Sequence, residues 1–221
     1  RNSCFDSEVT RNDALLFGEH LGEPPSYSQY YSRGMRLVDS PLQGTLNNVL
    51  GNPSASLIGL DQRDSGGFSA PNRVMFAQSH DNAFANHREL QLAYMFAREG
   101  IPVIYSDGYN QSSAPDYFPR VANAPYLGQF GDNKMPDLAW LQQQLSRGGT
   151  RPRWSDADLV AFERYDYRDS ASAPDQTTVV FIMNDNYASD ISFDDGVSQT
   201  TAGTYYECFP VASSRGVGLA V

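Results

Sequence analysis

Four short apolar runs, the last three each leading toward a helical stripe, constrain this chain more than anything else in it. They are Ala14-Leu15-Leu16-Phe17, Met35-Arg36-Leu37-Val38, Val74-Met75-Phe76-Ala77 and Ile101-Pro102-Val103-Ile104-Tyr105. None alternates apolar with polar, as a half-exposed antiparallel strand would. They read instead as strands of a parallel sheet covered on both faces. The helices between them carry their own signals. Ser40-Pro41-Leu42-Gln43 predicts a start with Ser40 as N-cap and Pro41 at the first helical position, in a helix running to Leu50 and stopped at Gly51. Asn86-His87-Arg88-Glu89 predicts a second start, after which Leu90, Ala93, Tyr94 and Ala97 keep helical spacing until Gly100. Leu138, Leu141, Gln142 and Leu145 form a third stripe, closed by Gly148-Gly149. Strand–helix units in series mean an α/β fold.

Beyond residue 149 the pattern changes. Residues 159–162, 177–183, 189–193 and 204–209 are strand-like, separated by turn signals such as Asp194-Asp195-Gly196, with no helix between. Residues 1–150 are therefore expected to form an α/β unit and 151–221 an all-β one, with the antiparallel module starting near residue 158. The chain begins at Arg1, and Gly216-Val217-Gly218-Leu219-Ala220-Val221 reads as a strand cut in the middle, so a piece of a longer protein is expected.

Charge narrows the partners. Sixteen Lys and Arg face 26 Asp and Glu, a net charge of −10. Such a surface repels phosphate backbones and argues against nucleic acid; it suits a neutral substrate. No apolar run approaches the ~20 residues of a membrane helix. Two Cys and three His at no ligand spacing argue against a zinc site. Phosphate-loop, dinucleotide and nucleophile-elbow motifs are missing.

Polar residues gather just after the strands: Gly18-Glu19-His20, Asp39, Gln78-Ser79-His80-Asp81-Asn82 and Ser106-Asp107. In parallel α/β sheets the C-terminal strand ends converge on one crevice, where active sites lie. Glu19 and Asp81 can then face each other, as glycoside hydrolysis requires of two carboxylates. The plainer reading of each acid is a helix cap or a solvated loop residue. Tyr27, Tyr30, Tyr31, Tyr109, Tyr117, Phe118 and Tyr126 fall in the loops, where aromatic faces can stack on sugar rings.

These blocks carry a resemblance. Phe76-Ala77-Gln78-Ser79-His80-Asp81-Asn82 resembles the F-V-x-N-H-D block at the seventh barrel strand of the alpha-amylase family (glycoside hydrolase family thirteen). Glu99-Gly100-Ile101-Pro102-Val103-Ile104-Tyr105-Ser106-Asp107-Gly108 is similar to that family's eighth strand. Leu15-Leu16-Phe17-Gly18-Glu19 resembles the fifth strand, and Leu37-Val38-Asp39-Ser40-Pro41-Leu42 the sixth. Arg153 to Tyr165 resembles the passage into the family's C-terminal β-sandwich. Ser79 and Ser106 depart from the family's usual residues.

The resemblance implies the second half of a (β/α)8 barrel followed by an incomplete antiparallel β-sandwich. It implies retaining hydrolysis of α-glucans such as starch, with Glu19 as general acid/base and Asp81 stabilising the transition state. His80, His20, Asp107 and Tyr109 would bind substrate. No cofactor is implied within this stretch, and the family's usual calcium ligands lie mostly upstream. The nucleophilic Asp sits in a G-[FY]-R-x-D block that this chain lacks, so the piece alone is expected to be inactive. A transglycosylase or disaccharide-acting relative and a non-catalytic carbohydrate-binding homologue are the alternatives. An acidic polymer-degrading enzyme suggests an extracellular rather than a cytoplasmic setting.

Overall fold

The computed structural model describes residues 15–20, 26–77, 79, 88–104, 134–166, 176–186 and 217–220. Its first sheet holds β1 (Phe17–Gly18), β2 (Arg36–Val38), β3 (Arg73–Met75) and β4 (Ile101–Pro102), in that order. All three pairings are parallel, with Gly18 opposite Leu37, Val38 opposite Val74 and Met75 opposite Pro102. Each of β1 to β4 overlaps one of the expected strands, the first at Phe17 alone, and they are adjacent and parallel as expected. Between and after them come α1 (Tyr27–Tyr31), α2 (Ser40–Val49), α3 (Arg88–Ala97) and α4 (Lys134–Gln144).

Helix α2 starts one residue earlier than expected. Its N-cap is Asp39, not Ser40, and the Asp39 carboxylate accepts the Leu42 amide at 2.9 Å. Asp39 leaves the end of β2 and is buried, so the carboxylate nearest the orphan amides takes the cap. At the other end Leu50 is the C-cap. The predicted cap of α3 at Asn86 lies outside the described residues.

Helix α3 is spaced like an amphipathic helix, yet every residue from Leu90 to Ala97 is buried. The second sheet explains this. It holds β5 (Gly149–Ser155), β6 (Leu159–Asp166), β7 (Gln176–Asn184) and β8 (Val217–Ala220), antiparallel throughout and in that order. Tyr94 of α3 meets Phe162 and Phe181 of this sheet edge-on, each at 6.0 Å, while the two phenylalanines stack at 4.7 Å. One apolar core therefore runs from Leu46 and Met75 through Tyr94 to Phe162 and Phe181.

The antiparallel sheet begins before residue 158, the expected start. Its first strand, Gly149-Thr150-Arg151-Pro152-Arg153-Trp154-Ser155, has no apolar alternation and contains a proline. Among the described strands it pairs with β6 alone, and edge strands tolerate proline, here beside a bulge between Pro152 and Trp154. Its charge is used instead: Arg151 and Arg153 both reach the fully buried Glu163 on β6. The strand-like stretches 189–193 and 204–209 lie outside the described residues.

Three buried arginines hold the elements together, Arg164 across the layers and Arg98 and Arg73 on the loop over residues 60–68. Arg164 of β6 donates to the carbonyls of Ala97, Gly148 and Gly149 at 2.9, 2.9 and 3.1 Å. Arg98 donates to the carbonyls of Leu60, at 2.6 Å, and Gln62. Arg73 donates to those of Arg63 and Phe68 at 2.8 and 3.3 Å. Glu99 joins the set, taking a two-pronged contact from Arg63 at 3.2 Å and the Thr150 amide at 3.1 Å. Buried charges persist only with such partners.

Candidate functional site

The C-terminal end of β1 carries the first candidate. Leu15, Phe17 and Glu19 are exposed, while Leu16, Gly18 and His20 are half-buried. This is the alternation of an extended strand, continued past its last paired residue. Glu19 thus stands on the open face. His20 turns the other way, its ring 4.8 Å from Tyr27 and 5.3 Å from Tyr30, edge-on to both.

Tyr27 has a second neighbour, the Phe68 ring at 4.4 Å. Phe68 belongs to a tight hairpin. Ser65 and Phe68 exchange two backbone hydrogen bonds, and Gly66 and Gly67 occupy the turn at φ +61° and +81°. Only residues free to adopt positive φ at both positions make this two-residue turn. At Gly67 a Cβ would also lie 2.8 Å from the Tyr27 ring.

At the end of β2, Asp39 is not presented to solvent. Its second oxygen lies 3.7 Å from the Arg73 guanidinium, and both residues are buried. Burial raises the Asp39 carboxyl above its ordinary range, against the pull of the Leu42 amide and Arg73. The same burial lowers Arg73, which Asp39 opposes. Tyr31 completes the cluster, its hydroxyl pushed up to about 12 by burial and by the Asp39 carboxylate. Asp39 is therefore a helix cap and ion-pair partner, as the plainer reading of a strand-end acid has it.

The structure brings Glu19 and His20 to the end of β1. Asp81, His80, Asp107 and Tyr109 lie outside the described residues, as do Tyr117, Phe118 and Tyr126. At the end of β3 Phe76 and Ala77 are buried and Ser79 half-buried. Tyr27, Tyr30 and Tyr31, read from the sequence as loop aromatics, lie on the one-turn helix α1, and Tyr27 packs against protein. A hollow of about 400 Å³ lined by Gln29, Tyr30, Ser32, Arg33 and Met35 adjoins α1. Sequence reasoning passed over Phe68 and Arg73; the one available signal was the Gly66-Gly67 turn dipeptide. Among the described residues no group of three or more His, Cys, Asp or Glu is arranged to hold a metal ion. Among them, too, no helix is long and apolar enough to cross a membrane.

No family model matches the chain, and no curated protein matches its sequence. Solved structures do match. The alpha-amylase of Geobacillus thermoleovorans, complexed with acarbose, is 20% identical with a TM-score of 0.54, covering 80% of this chain and 43% of its own. The cyclomaltodextrin glucanotransferase CldA is 19% identical with a TM-score of 0.50, covering 80% and 41%. Pullulanase type I of Bacillus subtilis, complexed with maltose, is 14% identical with a TM-score of 0.50, covering 80% and 34%. All are alpha-amylase-family enzymes, and the resemblance read from the sequence is met at the level of the fold. The chain spans less than half the length of each of them.

Proposed function

We propose that the chain is part of a retaining α-glucan hydrolase, contributing barrel strands five to eight as β1 to β4. The observation that carries this reading is the placing of Glu19. It projects at the C-terminal end of β1, the outer strand of the parallel sheet among the described residues, on an exposed face. Leu15 and Phe17 share that face at 48% and 49% exposure, and Ile104 after β4 is 38% exposed at the opposite edge. Further strands pairing with β1 and β4 would bury these side chains and enclose Glu19, as barrel closure requires. The structural likeness to glucan-acting enzymes supports the same reading.

In this mechanism Glu19 gives its proton to the glycosidic oxygen as the bond breaks and later takes one from the attacking water. Asp81 accepts hydrogen bonds from the sugar hydroxyls, more strongly as the ring gains positive charge. His80 bonds the same sugar. The nucleophile comes from sequence outside this chain.

Replacing Glu19 by Gln in the complete enzyme tests the assignment. General acid–base catalysis contributes ~10²–10⁴-fold, so kcat on starch should fall by at least that order with the fold intact. An aryl glucoside with a good leaving group should be partly spared in the first step. Asp81→Asn should harm both substrates. Near-normal starch hydrolysis by Glu19→Gln would place the general acid elsewhere. Analysis of the products separates hydrolysis from the glycosyl transfer that one structural relative performs.

A further inference from the structure

Helix α1 has five residues, none of them buried, and no side-chain hydrogen bond at its N-cap. So short a helix does not hold itself together in water. Its first residue, Tyr27, is nonetheless held on two sides. Phe68, 1% exposed, supports one face, and the turn glycine at 67 leaves room for the ring edge that a Cβ would strike. On the other side the ring meets His20. The support is itself anchored. Buried Arg73 grips the Phe68 carbonyl, and Asp64 accepts the Ala70 amide at 2.6 Å. A continuous line of contacts therefore runs from the interior, through Arg73, Phe68 and Tyr27, to His20. His20 is the residue that follows Glu19.

We propose that Tyr27 is a positioning residue for Glu19. It clamps the His20 ring on the covered side of β1 and so fixes the backbone from which Glu19 projects on the open side. Among the described residues the paired part of β1 ends at Gly18, one residue before Glu19. The contact is made by the ring, with no role for the hydroxyl. This inference rests on the assignment of Glu19 as general acid.

The test uses the complete enzyme and a soluble maltooligosaccharide. Misplacing a catalytic group by about 1 Å can cost ~10²-fold, so Tyr27→Leu should lower kcat by ~10–100-fold with KM nearly unchanged. The basic limb of the kcat/KM profile, which reports the general acid, should move with it. Tyr27→Phe should restore wild-type kcat and profile. Nuclear magnetic resonance, with the His20 signal assigned through His20→Gln, should show that signal displaced in Tyr27→Leu and not in Tyr27→Phe. Should Tyr27→Leu fail to fold, Gly67→Ala keeps the tyrosine but pushes its ring, and should reproduce a smaller kcat loss with a displaced His20 signal. If Glu19→Gln is inactive while a folded Tyr27→Leu or Gly67→Ala keeps wild-type kcat and pH profile, the positioning role is wrong and the Glu19 assignment stands. A lower Tm with unchanged kcat per folded molecule overturns it equally. If Glu19→Gln stays active, the functional reading itself has failed.

Discussion

The strands of the parallel sheet run two or three residues each, whereas β6 and β7 run eight and nine. The difference goes beyond length. The antiparallel sheet has a long ladder, a stacked phenylalanine pair and a buried Glu163 gripped by two arginines. The parallel sheet has few ladder bonds and two edges with exposed apolar side chains. What holds it is what crosses it: the Asp39 cap, the Arg73 and Arg98 guanidiniums on loop carbonyls, and α3 pressed between the layers. The candidate general acid stands on this second kind of sheet, at an edge. A site built that way depends on its supports more than on its own strand.

The contrast breaks most readily at the aromatic side chains. Phe162→Ala should cost ~3–5 kcal/mol in urea titrations of this chain, the usual penalty for emptying an aromatic site in a packed core. Phe17→Ala, half-exposed on β1, should change stability by no more than ~0.5 kcal/mol. Equal losses would mean that the parallel edge is as firmly packed as the other sheet. In a longer protein whose further strands pair with β1, as proposed, the Phe17→Ala cost should rise; an unchanged cost would count against that pairing.

A smaller effect is expected at Arg98. Its guanidinium lies 5.1 Å over the Tyr94 ring, and burial lowers it to about 9. Arg98→Met would leave the Leu60 carbonyl its bond from the Tyr94 hydroxyl at 2.7 Å, while the Gln62 carbonyl would lose its arginine. One stranded carbonyl costs ~1–3 kcal/mol, and that loss should appear in the denaturation midpoint. No loss would show that Tyr94, Arg73 and the Arg63–Glu99 pair hold the loop without it.

The smallest effect is a pH dependence on the antiparallel side. Asp185 accepts the Gly51 amide at 3.4 Å, joining the end of β7 to the end of α2. Burial, with Asp158 nearby, raises its carboxyl from 3.8 to about 6. An acid raised on folding is penalised when ionised. The stability it contributes is whole below pH 3.8, falls as pH rises through about 6, and is gone above. Asp185→Asn should therefore stabilise the chain at pH 7, by under ~1 kcal/mol after solvent screening, and change nothing at pH 3.5. A gain of equal size at both pH values would point to packing rather than charge.

Much of this was legible in the residues. Non-alternating apolar runs announced the parallel strands, and a helix-free tail announced the antiparallel ones. What escaped is instructive. Strand β5 was hidden because an edge strand with Pro152 and two arginines has no hydrophobic period. Helix α3 read as amphipathic because spacing shows one apolar face and cannot show that a second sheet covers the other. Ser40 looked like the cap because serine-proline is a familiar start, but the choice fell to Asp39, which leaves the strand already buried beside Arg73. Of the site, the sequence named Glu19 and His20 but not their support. Tyr27 looked like a sugar platform, and its contact with Phe68 joins residues that no local pattern connects.

Arg164 bears on how such a protein can be taken apart and recombined. The acceptors of its guanidinium come from two separate stretches: Ala97 at the end of α3, and the adjacent Gly148 and Gly149 where the turn enters β5. Gly148 in that turn has φ +67° and lies so close to the Tyr165 carbonyl that a Cβ would stand 2.0 Å from its oxygen. The turn and the β-rich tail are thus fitted to each other, atom against atom. A chimaera that joined a foreign tail at this turn would strand the Ala97 carbonyl and lose the glycine's counterpart together. The natural seam for grafting lies elsewhere, and the tail must travel with the helix it is riveted to.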